Sequence, residues 1–166
     1  MVKIYYTFDK RDTNEFIKSI FLKYYNIPNA EICKSKNGKP YIKNGIFFNA
    51  AHSGDVLAVA VSDKEVGLDC ELKNKKMRTA VLKRFSEKDR GEIKTYEYFI
   101  LHWTAKESFI KFLGGTLAHD LKNVEFINGE IFYLGKKQPI FLLRTEISNY
   151  TIACVSEYTQ MQLIKI

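Results

Sequence analysis

The order of helix-forming and strand-forming segments is the sequence feature that most constrains the fold. Apolar residues recur at helical spacing from Asp12 to Tyr25, and short strand-forming segments follow as far as Leu72. A longer helical pattern runs from Thr95 to Leu113, and short strand-forming segments follow it as well. Because each half runs from a helix into strands, this order predicts an α+β fold. We expect two pseudo-duplicated lobes, each a helix packed on a small antiparallel sheet.

Alternation and turn residues divide the rest of the chain into short elements. Strands are predicted at residues 2–8, 46–48, 56–61, 66–72, 121–126, 130–134, 140–145 and 150–156. Short helices are predicted at residues 78–85 and after Ser86. The strands between residues 45 and 72 are expected to form an antiparallel meander, with residues 49–55 as its first turn. Polar residues 73–76 are expected to separate two lobes, about 1–72 and 77–166, of a single domain.

The composition favours a globular protein without a membrane span. Hydrophobic residues make up 46% of the chain, which excludes intrinsic disorder, and no apolar run approaches the length of a membrane span. The first residues carry neither a long apolar segment nor a small-residue cleavage site, so no signal peptide is predicted. Three widely spaced cysteines argue against both a disulfide framework and a CxxC metal site. We expect a soluble cytoplasmic protein.

The net charge is +7, and it is concentrated near the N-terminus. Residues 1–50 hold nine Lys and Arg against four Asp and Glu, a balance of +5. A basic surface indicates an anionic partner, which composition leaves open among a phosphorylated metabolite, nucleic acid and an acidic protein.

Two carboxylates lie close together on the strand predicted at residues 66–72. Side chains alternate along a strand, so Asp69 and Glu71 point to one face and the apolar side chains between them point to the other. A divalent cation relieves the repulsion between two such carboxylates, because Mg²⁺ prefers oxygen ligands. The alternative is a solvated strand face.

The longest predicted helix carries a second group of charges. Glu107 and Lys111 are four residues apart and share one helix face, whereas Lys106 is adjacent to Glu107 and points off that face. Glu107 is either half of an ordinary helix ion pair or a third carboxylate for the metal. The lysines are candidates to bind phosphate.

A third group precedes both. His52 and Ser53 lie in a segment expected to join two strands, where backbone N–H groups also reach an anion, and Lys39 comes earlier in the chain.

In chain order, these groups resemble the motifs of the 4′-phosphopantetheinyl transferase superfamily, in its surfactin-synthetase-activating type. The matching segments are Gly38-Lys39-Pro40, Phe48-Asn49-x-x-His52-Ser53-Gly54, Gly67-x-Asp69-x-Glu71 and Trp103-Thr104-x-Lys106-Glu107-Ser108-x-x-Lys111. The last of these is the most specific, and the resemblance is strongest between Gly38 and Leu117.

The resemblance implies a Mg²⁺-dependent enzyme, a single catalytic domain, with Mn²⁺ as an alternative metal. It would transfer 4′-phosphopantetheine from coenzyme A to a serine of an acidic apo acyl or peptidyl carrier protein and release adenosine 3′,5′-bisphosphate. The implied metal ligands are Asp69, Glu71 and Glu107. Glu107 is also the implied base and Lys111 the implied stabiliser of the transferring phosphoryl group. The residues implied to bind the coenzyme are Lys39, His52, Ser53, Lys106 and Lys111.

The sequence departs from the family pattern in three places. Ala51 stands where the family often has Ser, the turn after the long helix reads Gly114-Gly115-Thr116-Leu117, and the segment before Gly38 is short. The short segment implies that basic residues which hold the coenzyme 3′-phosphate in the family are missing here. Lys10 and Arg11, at the start of the first helix, are candidates to replace them, since helix N-termini favour phosphate. The alternative is a solvated helix start.

Two other functions remain open at this stage. A basic nucleic-acid-binding module would explain the charge and the ten tyrosines, but no nucleic-acid-binding signature is present and we expect no nucleic-acid partner. A degenerate transferase that only binds carrier proteins would not need three carboxylates. Two lobes in one chain predict a monomer, and dimerisation is left open.

Overall fold

The computed structural model describes residues 1–43, 45–73 and 79–166. The helices are α1 (Thr13–Tyr25), α2 (Thr79–Leu82), α3 (Glu87–Glu92), α4 (Tyr96–Leu113) and α5 (Leu117–Asp120). The strands are β1 (Val2–Thr7), β2 (Cys33–Lys34), β3 (Pro40–Tyr41), β4 (Phe47–Ser53), β5 (Val56–Ser62), β6 (Val66–Leu72), β7 (Val124–Ile127), β8 (Glu130–Tyr133), β9 (Lys136–Lys137), β10 (Phe141–Ile147), β11 (Tyr150–Ser156) and β12 (Met161–Lys165).

Two main sheets organise the molecule. The first has the strand order β12-β1-β5-β4 and the second the order β10-β11-β6. In the first sheet β12 runs parallel to β1, while β1, β5 and β4 pair antiparallel. The second sheet is antiparallel throughout. A small hairpin, β2-β3, and a short meander, β7-β8-β9, complete the strands of the described residues. The expected α+β class is confirmed.

Three hydrophobic clusters define four layers. One cluster packs α1 against the first sheet, through residues such as Phe16, Phe21 and Tyr5. A central cluster lies between the two sheets and includes Ile4, Leu68 and further side chains of β5 and β11. The third packs α4 against β7, β8 and the outer face of the second sheet. Each main sheet therefore carries a helix on its outer face.

The long helices begin and end as their sequences predict. Asp12 caps α1 by accepting hydrogen bonds from the backbone N–H groups of Asn14 and Glu15, and α1 ends on Asn26 in the left-handed conformation. Helix α4 starts after Thr95 and ends on Gly114 at φ 65°, where glycine carries no steric penalty.

Gly67 allows α4 to approach β6 closely. A Cβ atom at this position would lie 2.0 Å from the carbonyl oxygen of Ser108 and 2.4 Å from the backbone nitrogen of Phe112. Such contacts are sterically impossible, so the helix and the strand can meet at this distance only because residue 67 has no side chain. This approach brings the polar face of β6 against α4.

Side chains of β4 join the two sheets. The Asn49 side-chain oxygen accepts a hydrogen bond from the backbone N–H of Leu68 at 2.9 Å. Four residues further along β4, the Ser53 hydroxyl accepts a hydrogen bond from the backbone N–H of Leu72, also at 2.9 Å. These bonds satisfy backbone donors along the free edge of β6 and hold β4 beside it.

The predicted meander is wrong at its third strand. β4 and β5 pair as expected, but β6 pairs with β11 of the other sheet. The chain end also crosses the expected boundary, because β12 returns to the first sheet beside β1. Lobes divided near residue 72 therefore do not correspond to the two sheets. The expected break at 73–76 lies mostly outside the described residues, as does the predicted start of a helix at residue 78.

β4 is longer than predicted. Residues 49–53 continue the strand, so His52 and Ser53 lie on β4, and only Gly54 and Asp55 make the turn. Asn and Ala have low β-propensity, which hid this strand from sequence analysis, but pairing with the wholly buried β5 stabilises it.

Two predictions from composition can be compared with the structure. Among the described residues, no helix combines the length and the apolar character that crossing a membrane requires. The three cysteines are free thiols, as their number and spacing predict, and burial raises the pKa of Cys70 and Cys154 to about 12.

Candidate active site

Three carboxylates converge where β6 meets α4. Asp69, Glu71 and Glu107 each offer an oxygen atom, and these atoms all lie within 4.8 Å of one another. Asp69 and Glu71 project from one face of β6 because side chains alternate along a strand, and Glu107 projects from the face of α4 packed against it. The structure thus brings together the three predicted metal ligands.

Lys111 lies within this group. Its ammonium donates a hydrogen bond to Asp69 Oδ1 at 2.8 Å and lies 3.9 Å from Glu107 Oε1. Burial favours the neutral lysine, but the charges of Asp69 and Glu107 outweigh it and raise the Lys111 pKa. The ammonium therefore stays charged beside the carboxylates.

Burial dominates the electrostatics of Asp69. It raises the Asp69 pKa to about 8, with Glu107 and Glu71 adding to the shift and Lys111 opposing it. Its second oxygen, Oδ2, is buried and lacks a hydrogen-bond partner. A buried carboxylate oxygen without a partner is costly.

These features fit a divalent cation. Carboxylate oxygens are the ligands that Mg²⁺ prefers, and a cation would give Asp69 Oδ2 the partner it lacks. It would also relieve the repulsion among the three carboxylates.

Two side chains fix the orientation of Glu71. The indole N–H of Trp103 donates to Glu71 Oε1 at 2.7 Å, and the Ser53 hydroxyl approaches Glu71 Oε2 at 3.4 Å. Ser53 thus links β4 to a predicted metal ligand, and its hydroxyl is already engaged with Glu71 and with the N–H of Leu72. The resemblance implied a coenzyme contact for Ser53, and in the structure its hydroxyl contacts Glu71 and the N–H of Leu72 instead.

The structure contradicts the expected phosphate role of Lys106. Its side chain is fully buried, and its ammonium donates to Asp89 Oδ2 at 2.7 Å and lies 4.2 Å from the ring centroid of Phe85. Lys106 is one residue from Glu107, about 100° around the helix, so it points to the interior on another side of α4. No soluble phosphate reaches it there.

Lys39 is also held by the protein. Its ammonium forms an ion pair with Glu65 and donates to the carbonyl oxygens of Val66 and Phe112, at 3.3 and 2.9 Å. An ammonium has three N–H bonds, and all three are used here. The expected coenzyme contact is therefore replaced by one that ties the segment before β4 to β6 and the end of α4.

The remaining predicted phosphate ligands lie on the surface. His52, Lys10 and Arg11 are exposed. Leu57 on β5 pairs with Thr7 on β1 and with His52 on β4. The segment that follows β1 and carries both basic residues therefore starts at the same end of the sheet as His52. Arg11 forms an exposed ion pair with Asp9 at 3.1 Å.

The tyrosines give little support to nucleic-acid stacking. Of the ten, three are exposed beyond a third of their surface, namely Tyr24, Tyr41 and Tyr98. They lie on α1, β3 and α4, and the others are wholly or partly packed.

Comparison with known proteins identifies the family. Residues 65–155, more than half of the chain, match the family model described as 4′-phosphopantetheinyl transferase superfamily. The chain belongs to the 4′-phosphopantetheinyl transferase superfamily. The matched region contains the three converging carboxylates and Lys111.

Individual relatives agree with this assignment. The 4′-phosphopantetheinyl transferase gsp of Aneurinibacillus migulanus is 25% identical, and the alignment covers 90% of this chain and 69% of that protein. The 4′-phosphopantetheinyl transferase psf-1 of Bacillus pumilus is 31% identical, over 64% of this chain and 50% of that protein. The 4′-phosphopantetheinyl transferase Sfp of Bacillus subtilis is 32% identical, over 57% and 47%. The chain thus spans about half to two-thirds of the length of these transferases.

Several residues around the site of this transferase-family chain were not predicted from its sequence. Asn49 and Trp103 lie within the quoted motifs, but no role was assigned to them, and the structure shows them holding β6 and Glu71. Asp89 lies in the short helix predicted after Ser86, and the sequence assigns it no role in the site. It is wholly buried and pairs with both Lys106 and His102. The signal for it was Lys106, a lysine on the apolar side of α4 that requires a partner.

Proposed function

We propose that this chain transfers 4′-phosphopantetheine from coenzyme A to a serine of an apo acyl or peptidyl carrier protein. The observation that carries the proposal is the convergence of Asp69, Glu71 and Glu107 beside Lys111, inside the region that matches the family. The proposal also fits the +7 charge, since coenzyme A is a polyanion and carrier proteins are acidic.

The carboxylates would hold one Mg²⁺ ion, with Mn²⁺ as an alternative. When bound, the ion neutralises negative charge on the coenzyme pyrophosphate and on the group being transferred. Asp69 supplies the buried oxygen that needs a partner, and Trp103 and Ser53 keep Glu71 turned toward the same point.

Glu107 is proposed to accept the proton of the carrier serine, directly or through water. The serine oxygen then attacks the phosphorus attached to the pantetheine arm. A new P–O bond forms to the serine, and the P–O bond to adenosine 3′,5′-bisphosphate breaks. Lys111, held near both Asp69 and Glu107, is close enough to stabilise negative charge on the phosphoryl oxygens.

The coenzyme phosphates remote from the metal are assigned to the end of the first sheet where β1 finishes. His52 lies at this end, the segment that carries Lys10 and Arg11 starts there, and all three side chains are exposed. Lys39 and Lys106 are left out of this assignment because their ammonium groups are committed to protein partners.

Mass spectrometry of a carrier protein tests the proposal. The chain is incubated with coenzyme A, Mg²⁺ and an apo carrier protein, and the carrier is expected to gain one phosphopantetheine. A carrier whose acceptor serine is replaced by Ala, and a reaction containing a metal chelator, serve as controls and are expected to gain nothing. The assay is repeated with carriers from the fatty-acid, polyketide and nonribosomal-peptide classes. If all three remain unmodified, the proposal is contradicted and a protein that only binds carriers is favoured.

A further inference from the structure

A buried charged cluster lies behind the carboxylate site, on the other side of α4. Asp89, His102 and Lys106 are each no more than 1% exposed. Asp89 accepts from Lys106 at 2.7 Å through Oδ2 and contacts His102 Nδ1 at 3.1 Å through Oδ1. A buried ion pair contributes little net stability, because removing both charges from water is costly. The position of this cluster beside the carboxylate site points to another role.

Asp89 connects three elements. It completes the capping box of α3 with Ser86, it accepts the backbone N–H of Phe126 on β7 at 3.0 Å, and it binds two side chains of α4. The other nitrogen of His102 lies 3.5 Å from Glu92, at the end of α3. Helix α4 is therefore tied to α3 and β7 at one point.

The α4 residues that contact Asp89 lie next to those that form the carboxylate site, on neighbouring stripes of the same helix. His102 and Lys106 are four residues apart and form one stripe along the helix. Trp103, Glu107 and Lys111 form a second stripe, displaced from the first by one residue. One stripe contacts Asp89, and the other contacts the carboxylates of β6.

We propose that Asp89 is a positioning residue for the metal site, because through Lys106 and His102 it fixes the rotation of α4 about its axis. A rotation of α4 that carried Lys106 out of reach of Asp89 would carry Glu107 and Trp103 away from β6. Packing alone does not set this rotation as sharply, since apolar contacts are non-directional, whereas a buried charged hydrogen bond constrains both distance and direction. The inference rests on the proposed function, which makes Glu107 a metal ligand.

A charge-neutral double variant tests this role. Asp89→Asn with Lys106→Met removes both buried charges while nearly preserving volume, and it leaves no unpaired charge behind. The matched control is Glu130→Gln with Lys137→Met, which removes an exposed ion pair between β8 and β9. Circular dichroism and thermal unfolding establish that each variant is folded.

The readouts are Mg²⁺ affinity, measured by calorimetry on the metal-free protein without coenzyme, and steady-state kinetics with one carrier protein. We expect the buried-pair variant to bind Mg²⁺ about 10-fold more weakly, the range for residues that orient metal ligands. We expect kcat to fall by a similar factor. We expect KM for coenzyme A to stay within about 2-fold, because the substitutions do not alter the residues at the end of the first sheet that are proposed to bind phosphate. The control is expected to match wild type.

A folded double variant with wild-type Mg²⁺ affinity and kcat would overturn the proposal. The ion pair between Asp89 and Lys106 would then have only a stabilising role. If the double variant does not fold, Asp89→Glu is decided by the same criterion, since it keeps both buried charges and displaces the carboxylate by one methylene. Weakened Mg²⁺ binding without transfer by any variant, wild type included, would support the positioning role and contradict the proposed function. A wild-type protein that binds no Mg²⁺ in the absence of coenzyme would overturn the positioning role, and modification of the carrier protein would still decide the proposed function.

Discussion

Trp103 donates its indole N–H to Glu71 Oε1 across 2.7 Å, and this bond joins α4 to the carboxylate at the end of β6. The indole ring is also stacked near Phe85, with centroids 6.5 Å apart. One side chain therefore contributes to the hydrophobic cluster around α4 and fixes the orientation of a proposed metal ligand.

Replacing Trp103 with Phe separates these two contributions. The ring contact with Phe85 is largely kept, while the donor to Glu71 is lost. We expect Mg²⁺ affinity, measured by calorimetry, to fall by about 10-fold, as for other residues that orient metal ligands. Tyr133→Phe is the control, because it removes a 2.9 Å hydrogen bond to Asp120 away from the site. Equal Mg²⁺ affinity in the two folded variants would contradict the role of the indole.

Gly67→Ala tests the close approach of α4 to β6. The new Cβ would overlap backbone atoms of Ser108 and Phe112, which cannot move without shifting the helix. We expect the free energy of unfolding, measured in urea, to fall by at least about 3 kcal/mol, the upper range for overpacking.

Gly91→Ala is the matched control for this substitution. Gly91 lies in α3, and a Cβ there meets nothing within 4 Å. Its replacement is expected to leave stability unchanged or to raise it by about 0.5–1 kcal/mol, since alanine favours helix. A Gly67→Ala protein as stable as Gly91→Ala would show that the helix does not depend on this contact.

Substitution of His52 is expected to weaken coenzyme A binding without changing stability, and substitution of Lys39 to lower stability without changing coenzyme A binding. His52 is exposed, so His52→Ala should leave the melting temperature unchanged and weaken coenzyme A binding about 10-fold, typical of a lost charge-assisted hydrogen bond. Lys39→Met should lower the free energy of unfolding by about 1–3 kcal/mol, because two partly buried carbonyls lose their donor, and leave coenzyme affinity unchanged. His119→Ala, another exposed histidine, controls for the first change. The reverse pattern would restore the phosphate role that the sequence predicts for Lys39.

The sequence was sufficient to locate the proposed metal ligands but not the neighbours of the lysines. Strand alternation puts Asp69 and Glu71 on one face, and the four-residue spacing puts Glu107 and Lys111 on one face, so local periodicity determines both pairs. The same periodicity turns Lys106 away from Glu107, but it cannot say that Asp89 will meet it there. That contact depends on how α3 packs, which is a tertiary event.

Strand pairing was less predictable than strand position. Apolar patterns predict both β6 and β11, but such a pattern identifies a buried strand and not its partner across the ladder. β12, with half-exposed residues, carries too weak a pattern to be noticed, and it pairs with β1 at the opposite end of the chain.

The acid dependence of stability is expected to involve Asp89. Burial favours its neutral form, but the hydrogen bond from His102 and the charge of Lys106 outweigh it and lower the Asp89 pKa to about 2. A carboxyl with a depressed pKa stabilises the fold above its unfolded pKa near 4, and this contribution is lost as pH falls from about 4 to about 2.

The contribution is about 2 kcal/mol, and urea unfolding at a series of pH values measures it. In Asp89→Asn the residue no longer titrates, so the difference in unfolding free energy between wild type and variant should shrink as pH falls from 4 to 2. A difference that is constant over this interval would show that the pair does not hold Asp89 ionised.

The central claim is that the convergent carboxylates perform phosphopantetheine transfer, and the initial rate of Glu107→Gln tests it most directly. This substitution keeps the shape of the side chain but removes both a metal ligand and the proposed base. With a carrier protein, coenzyme A and saturating Mg²⁺, the folded variant is expected to transfer at least about 100-fold more slowly than wild type. Glu130→Gln, an exposed glutamate on β8, should retain the wild-type rate. A folded Glu107→Gln protein that transfers within about 2-fold of the wild-type rate would contradict the claim.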